Sequence, residues 1–414
     1  MKSVAIVGAS LAGLAAASGL RKAGFDGSIQ IIEAEDSLPP DRPPLSKHVL
    51  AGEWPLERAS QPAASMVETL EIDFRFGRLA TSFDGERRVL THRSADGEAG
   101  DGEAEESTVA DGLVIASGAR PRPLPAAWAA LGGVHTIRTR FDTAALLADV
   151  AASTGRVLIV GAGVIGLEAA SSLISIGRQV TVVETQPVPL SRILSPAIGE
   201  RIASMHHAAG VDLRCGVGID RFLGDRRFAG AVLTDGTHID ADVAIVGIGV
   251  IPNTEWLAAS GSSGVELDAT GGVVCDEFCV AGPSVVAAGD VASFVNGRYG
   301  ERMRVEHWDH AIEMGGYAGT QLVTAGPTPY EPVPYFWTDQ LGSKLQVAGR
   351  IHPDDEMVML DGAVTDDRFV AAFRHGDRVG AVLSFNRPAP VIRWRMRMAT
   401  PDGVAWSEAV GAQT

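Results

Sequence analysis

Short apolar runs closed by glycine set the rhythm of this chain. Residues 3–7 (SVAIV) have the length and character of a buried strand, a glycine turn follows, and residues 11–22 (LAGLAAASGLRK) carry small apolar side chains at helical spacing. Residues 29–32 then read as a second buried strand that closes on Glu33. Strand, turn, helix and strand in this order predict a β-α-β unit. The order recurs as a strand at 156–160, a turn at 161–166, a helix through 176 and a strand at 179–183 closing on Glu184. Residues 243–250 and 285–288 are further apolar strands, each closing on a glycine. Between the two units lies 94–107 (SADGEAGDGEAEES), acidic and glycine-rich, flanked by the strand-like segments 88–92 and 108–117, which predicts a long solvated hairpin loop. From about residue 330 the character changes to prolines 332 and 334, the aromatics Tyr335, Phe336 and Trp337, and then alternating strands, so a third domain is expected to start there.

This pattern gives an α/β chain with two Rossmann-like dinucleotide-binding domains and a C-terminal α+β domain. Its 414 residues, at about 150 per domain, allow between two and three domains. A composition of 46% hydrophobic and 21% charged residues excludes a mostly disordered chain. The net charge of −16 argues against nucleic acid and anionic lipid as partners. No apolar stretch reaches the roughly 18 residues of a membrane span. The N-terminal run superficially resembles a signal peptide, but Gly8, Ser10, Gly13 and Gly19 interrupt it. Three cysteines, Cys215, Cys275 and Cys279, make an odd count from which no disulfide framework follows, and a reducing, cytoplasmic location is expected.

A dinucleotide turn needs glycine where the chain leaves the strand and where backbone amides approach a pyrophosphate at the next helix N-terminus. The second unit has Gly161, Gly163 and Gly166 in GAGVIG, with Glu184 at 184 − 161 = 23 residues on, where a carboxylate can accept from a ribose 2′-hydroxyl. A 2′-phosphate would meet like charge there, and Thr185 and Gln186 follow without an arginine, so NADH is favoured over NADPH. The first unit reads GASLAG, with Gly8 and Gly13 but Ser10 in place of the middle glycine, and is left for another adenine dinucleotide. Asp290, in AAGD after an apolar strand, suits a flavin ribityl hydroxyl. Cys275 and Cys279 read as packing residues and no metal site is expected. The pair His206 and His207 reads as helix surface, and Arg393, Arg395 and Arg397 as a solvated face that could attract an acidic partner.

The motifs DRPPLSK (41–47) and PYFWTDQLGSKLQVAG (334–349), with GASLAG, ASGARPRPLP, GAGVIGLE, VVETQP, GIGVIPN, AAGDVA and VEHW, run in order to about residue 350. Through them the chain resembles the FAD-dependent NADH:ferredoxin reductases of bacterial oxygenase systems. The resemblance implies a glutathione-reductase-like fold with a discontinuous FAD domain (1–119 and 251–327), an NAD domain (120–250) and an interface domain (328–414). It implies that Lys47 lies beside flavin N5 and pairs with Glu168, and that Trp337 lies near the flavin and the docked ferredoxin. Ala12, Arg42, Leu79, Ala116, Gly118, Arg138, Asp290 and Trp308 fall on positions that line FAD in such enzymes; Ile165, Thr185, Gln186 and Gly249 fall on the NAD side. The usual acidic ribose ligand has Ala34 at its place, so Glu33 or Glu35 is expected to serve.

The implied activity is transfer from NADH to FAD and onward, one electron at a time, to a [2Fe–2S] ferredoxin, by a monomer or weak homodimer. No cysteine precedes Cys215, which disfavours disulfide reduction. Two alternatives remain: reduction of a small acceptor such as a quinone or an ascorbyl-type radical, and an NADH-regulated binding module like the apoptosis-inducing flavoproteins, which share an EHxDHA-like run at 306–311.

Overall fold

A computed structural model describes residues 1–60, 67, 69–96, 105–259, 261–326 and 328–411. The chain forms two compact units, each built from separated segments: Met1–Asp41, Glu57–Arg120 and Val250–Pro332 in the first, and Arg42–Leu56, Pro121–Gly249 and Val333–Thr414 in the second.

The first unit is organised by a six-stranded sheet in the order Val280–Gly282, Val285–Ala287, Gly112–Ile115, Ser3–Val7, Ser28–Ile32 and Ile72–Arg75. All neighbours are parallel except the Val280–Gly282 edge, and Val7 stands opposite both Ile32 and Ile115. Nearly every residue of the central strands is buried, as expected for parallel strands covered on both faces. The chain moves outward from Ser3–Val7 to one side and later returns on the other, which leaves a crevice at the strands' C-terminal ends.

Helices Leu11–Lys22 and Trp308–Val323 cross beside this sheet at backbone contact. A Cβ at Gly315 would stand 2.3 Å from the Ala12 carbonyl oxygen, and one at Gly319 2.1 Å from that of Ala16. The small-residue pattern of the first helix is thus a packing requirement of this crossing as well as a helix signal.

The second unit contains a five-stranded parallel sheet in the order Asp212–Cys215, Val180–Glu184, Val157–Val160, Val243–Val246 and Val134–His135. It also contains a five-stranded antiparallel sheet in the order Tyr335–Gln340, Ser343–Gly349, Arg378–Phe385, Phe369–His375 and Met357–Asp361. Helices Pro388–Met398 and Trp406–Gly411 contribute Val391, Met398, Trp406 and Ala409 to the apolar core of that sheet. Both Rossmann-like sheets and the C-terminal α+β fold are therefore present.

Three readings are corrected. The run 243–250 is not one strand: it ends at Val246, and Val250–Pro252 pairs with Ala119–Pro121 instead. Gly249, at φ +101°, breaks the extended run. The run 108–117 likewise divides into Glu106–Val109 and Gly112–Ile115, which belong to different sheets. His206 is not on the surface: helix Pro196–Ala208 turns Ile198, Ile202 and His206, at i, i+4 and i+8, inward, and only His207 is exposed. Of the predicted acidic hairpin, strands Val89–Ser94 and Glu106–Val109 pair antiparallel, while 97–104 lie outside the described residues.

The helix crossing yields a test. Gly319→Ala is expected to cost at least about 2 kcal/mol because its new carbon meets backbone. Gly316→Ala on the same helix, where the nearest atom would be 3.9 Å away, is expected to change stability by less than about 1 kcal/mol. Urea denaturation followed by circular dichroism compares them, and equal effects would mean that the crossing does not limit stability.

Candidate functional site

Each unit carries the same turn. In the first, strand Ser3–Val7 ends at Gly8 with φ +106°; in the second, Val157–Val160 ends at Gly161 with φ +105°. A Cβ at either position would stand 2.3 Å from a carbonyl oxygen, that of Ala116 or of Gly247. Glycine is required twice over there, by torsion and by contact. Gly13 and Gly166 lie against the turns themselves, 1.9 Å and 2.1 Å from the carbonyl oxygens of Gly8 and Gly161 by the same measure.

The middle position differs. Gly163 caps helix Val164–Ser175 at φ −77°, ψ −177°, and a Cβ there would meet nothing within 4 Å. Ser10 caps helix Leu11–Lys22 at φ −81°, ψ −172°. These torsions suit any residue, so serine completes the first turn without strain. The open space at Gly163 has no atom of the described residues within 4 Å of a Cβ, the condition a closely approaching phosphate needs.

The carboxylates at the strand ends repeat the symmetry. Glu184 accepts from the amide of Ala162 at Oε2 (2.8 Å) and from that of Gln186 at Oε1 (2.9 Å), and Thr185 Oγ1 adds a third bond. Glu33 accepts from the amide of Ala9 at Oε2 (2.6 Å) and from that of Glu35 at Oε1 (2.9 Å). Glu33, rather than Glu35, therefore stands where Glu184 stands. Both turns fit a dinucleotide: bare backbone, the unsatisfied amides of a helix N-terminus, and an oriented carboxylate.

Within the first unit, Gly289 (φ +78°) packs its backbone on Ala12, since a Cβ would stand 2.8 Å from the Ala12 Cβ. This brings the short helix Gly289–Val291, with half-buried Asp290, beside the first turn. Trp308 opens helix Trp308–Val323 and its indole donates to Asp41 Oδ1 (2.7 Å). The cap residue His307 is half-buried, and desolvation pushes its imidazole down to about 4. Ala116 is buried beneath Gly8, Gly118 adopts φ +66°, and Leu79 is exposed on strand Arg78–Asp84. In the second unit, Ile165, Thr185, Gln186 and Gly249 are exposed around the second turn, and Arg42 and Arg138 are half-buried.

The second unit also holds a buried ion pair. Lys47 lies in the five-residue π-helical segment Leu45–Val49, and its Nζ stands 2.8 Å from Glu168 Oε1. Glu168 is 3% exposed, a burial that a carboxylate tolerates only when fully paired. Two hydroxyls complete its partners: Ser46 Oγ donates to Oε2 and Thr338 Oγ1 to Oε1, each at 2.7 Å. One turn further along the same helix, Ser172 Oγ donates to the carbonyl oxygen of Ser46 (2.8 Å), which fixes the segment that carries Lys47. Trp337 precedes Thr338 on strand Tyr335–Gln340, so alternation turns it to the opposite face, where it stacks with Tyr335 and lies under Lys344.

Ser46, Thr338 and Gln340 are not among the site residues named from sequence, and His206 is read there as surface. Glu168 and Ser172, polar and buried at i and i+4 of helix Val164–Ser175, were the available signal for a polar partner on that face.

Burial raises all three thiols, Cys275 to about 12 and Cys279 well above its ordinary range. Among the described residues no helix is long and apolar enough to cross a membrane.

Residues 2–315 match the family described as pyridine nucleotide-disulphide oxidoreductase, and residues 335–410 match the reductase C-terminal family. The ferredoxin reductase subunit of 5,5'-dehydrodivanillate O-demethylase from Sphingobium sp. is 35% identical over 94% of this chain and 91% of its own length. Putidaredoxin reductase from Pseudomonas putida is 32% identical over 93% and 89%. The solved covalent putidaredoxin reductase–putidaredoxin complex contains a chain that superimposes with a TM-score of 0.85 at 29% identity, over 100% of this chain and 99% of that one.

The different demands on the turn glycines are separable. Gly161→Ala is expected to lower the melting temperature by several degrees. Gly163→Ser, which takes a favoured cap residue at torsions already held by Ser10, is expected to leave it within about 2 °C. Differential scanning calorimetry measures both, and a large drop for Gly163→Ser would mean that its position is a packing site.

Proposed function

We propose that this chain, which belongs to the pyridine nucleotide-disulphide oxidoreductase family, is an NADH:ferredoxin reductase that holds FAD at its first dinucleotide turn and NADH at its second, and that it serves an oxygenase. The duplicated turn carries this reading. A chain that builds the same phosphate-binding turn twice is suited to two dinucleotides, and hydride exchange is the chemistry that a flavin and a nicotinamide share. Bound FAD supplies the acceptance of a hydride at N5 and the release of its two electrons one at a time.

The protein's part is binding, orientation and charge. The amides at the N-termini of helices Leu11–Lys22 and Val164–Ser175 receive the two pyrophosphates, and Glu33 and Glu184 receive the adenosine riboses. Ala12, Arg42, Leu79, Ala116, Gly118, Arg138, Asp290 and Trp308 line the FAD; Ile165, Thr185, Gln186 and Gly249 line the NADH. Lys47 places a cation where it stabilises negative charge added to the flavin, and Glu168 holds that cation in place. Trp337 lies on the route by which electrons leave.

Segments 1–119 and 251–327 are assigned to FAD, 120–250 to NAD and 328–414 to the interface domain. Three free thiols, all raised by burial, disfavour a dithiol route and suit the cytoplasm. Support for a protein acceptor comes from relatives that are themselves named as ferredoxin reductase components.

Two measurements test the reading. NADH oxidation by the flavin-loaded enzyme is expected to accelerate at least about tenfold when a small [2Fe–2S] ferredoxin is added with cytochrome c as terminal acceptor. Equal rates with a quinone alone would favour the small-acceptor alternative. NADH is expected to exceed NADPH in kcat/KM, and Glu184→Ser with Thr185→Arg to move that ratio toward NADPH by about tenfold or more, because repulsion is removed and a phosphate partner added. Wild-type enzyme using NADPH equally well would refute the charge argument at Glu184.

A further inference from the structure

The Lys47–Glu168 pair is the end of a longer hydrogen-bonded chain. His206 Nε2 lies 2.9 Å from Gln340 Oε1, Gln340 Nε2 donates to Thr338 Oγ1 (3.0 Å), and Thr338 Oγ1 donates to Glu168 Oε1 (2.7 Å). His206, Gln340, Thr338 and Glu168 are all buried. The directions are mutually determined. Because the Gln340 amide gives its N–H to the Thr338 oxygen, its own oxygen faces His206, so His206 must carry the proton on Nε2. Because Thr338 accepts from Gln340, its single proton is turned toward Glu168. Every donor in the chain therefore points the same way, toward the carboxylate, and bonds so aligned polarise one another. Burial lowers the affinity of His206 for a proton, and its Nδ1 has no partner among the described residues, so the imidazole enters the network through Nε2.

We infer that Thr338 and Gln340, backed by His206, are positioning residues that set how strongly Glu168 holds Lys47, and so how much positive charge Lys47 presents. This rests on the role proposed for Lys47 beside the flavin and extends it to residues from the C-terminal sheet and from helix Pro196–Ala208. The carboxylate shares its negative charge among Lys47, Ser46 and Thr338. Without the threonine hydroxyl, more of that charge falls on Lys47 and neutralises it.

The test compares FAD-loaded variants by the flavin midpoint potential, read spectroelectrochemically, with melting temperature as the check on folding. Lys47→Met is expected to shift the potential negative. Thr338→Val, which keeps the side-chain shape, is expected to shift it in the same direction by a smaller amount and to slow reduction by NADH about three- to tenfold, the effect of one hydrogen bond to a buried charge. Thr338→Ser should restore both. In a Lys47→Met background, Thr338→Val should add no further shift, since its effect passes through the lysine. Gln340→Met, which leaves Thr338 in place, gives the same comparison if Thr338→Val does not fold. A shift for Lys47→Met with none for Thr338→Val and Gln340→Met would overturn the inference while leaving the role of Lys47 intact. No shift for Lys47→Met would overturn that role, and the inference with it.

Discussion

Backbone packed directly on backbone is the constraint from which the rest of this structure follows. Gly8 against the Ala116 carbonyl and Gly161 against that of Gly247 join each turn to the segment leaving the neighbouring strand, on the far side of the sheet's switch point. Gly13 and Gly166 then bring the helices down onto the same turns. With the backbone this close, the amides of Ala9 and Ala162 come within reach of Glu33 and Glu184. The carboxylates are oriented by the protein itself, so little reorganisation is left for a ribose to drive. Glycine at these places is dictated by contact, whereas at Gly163 the protein leaves room.

The same helix that begins at the second turn supplies the buried acid. Glu168 sits five positions after the cap residue Gly163, and Ser172 one turn beyond, so the glycine turn and the carboxylate that holds Lys47 belong to one element. A buried ion pair is expensive unless every lone pair and proton is used. Here the carboxylate has three protein donors, two of them hydroxyls from different segments, which together balance its charge. Losing one donor leaves the others carrying more of that charge.

The strand-end carboxylates and the raised thiols narrow the chemistry further. The carboxylate of Glu184, held by two backbone amides, would meet an additional ribose phosphate with like charge, in keeping with a preference for NADH. Cys275 and Cys279 are buried and held as neutral thiols, so the family's disulfide chemistry has no thiolate here to use.

The sequence by itself determined what is local. The alternation of buried strand, glycine turn and small-residue helix appears in the residues of both units because burial on two faces and positive φ leave few residue types that work. Observed strand Ser3–Val7 and helix Leu11–Lys22 follow that pattern residue for residue. The run 243–250 reads as a single strand because apolar character continues through Gly247 and Gly249, whereas 108–117 carries a turn signal at Asp111 and Gly112; in both, pairing assigns the two halves to different sheets. Lys47, Glu168, Thr338, Gln340 and His206 come from four elements far apart in the chain. Their motifs could be recognised by likeness, but no periodicity relates them. His206 looked like half of an exposed pair until the helix was seen to turn it inward onto Gln340. Only the tertiary structure decided that arrangement, because which polar groups meet in a core depends on how elements pack, while torsion and side-chain size are already written at each position.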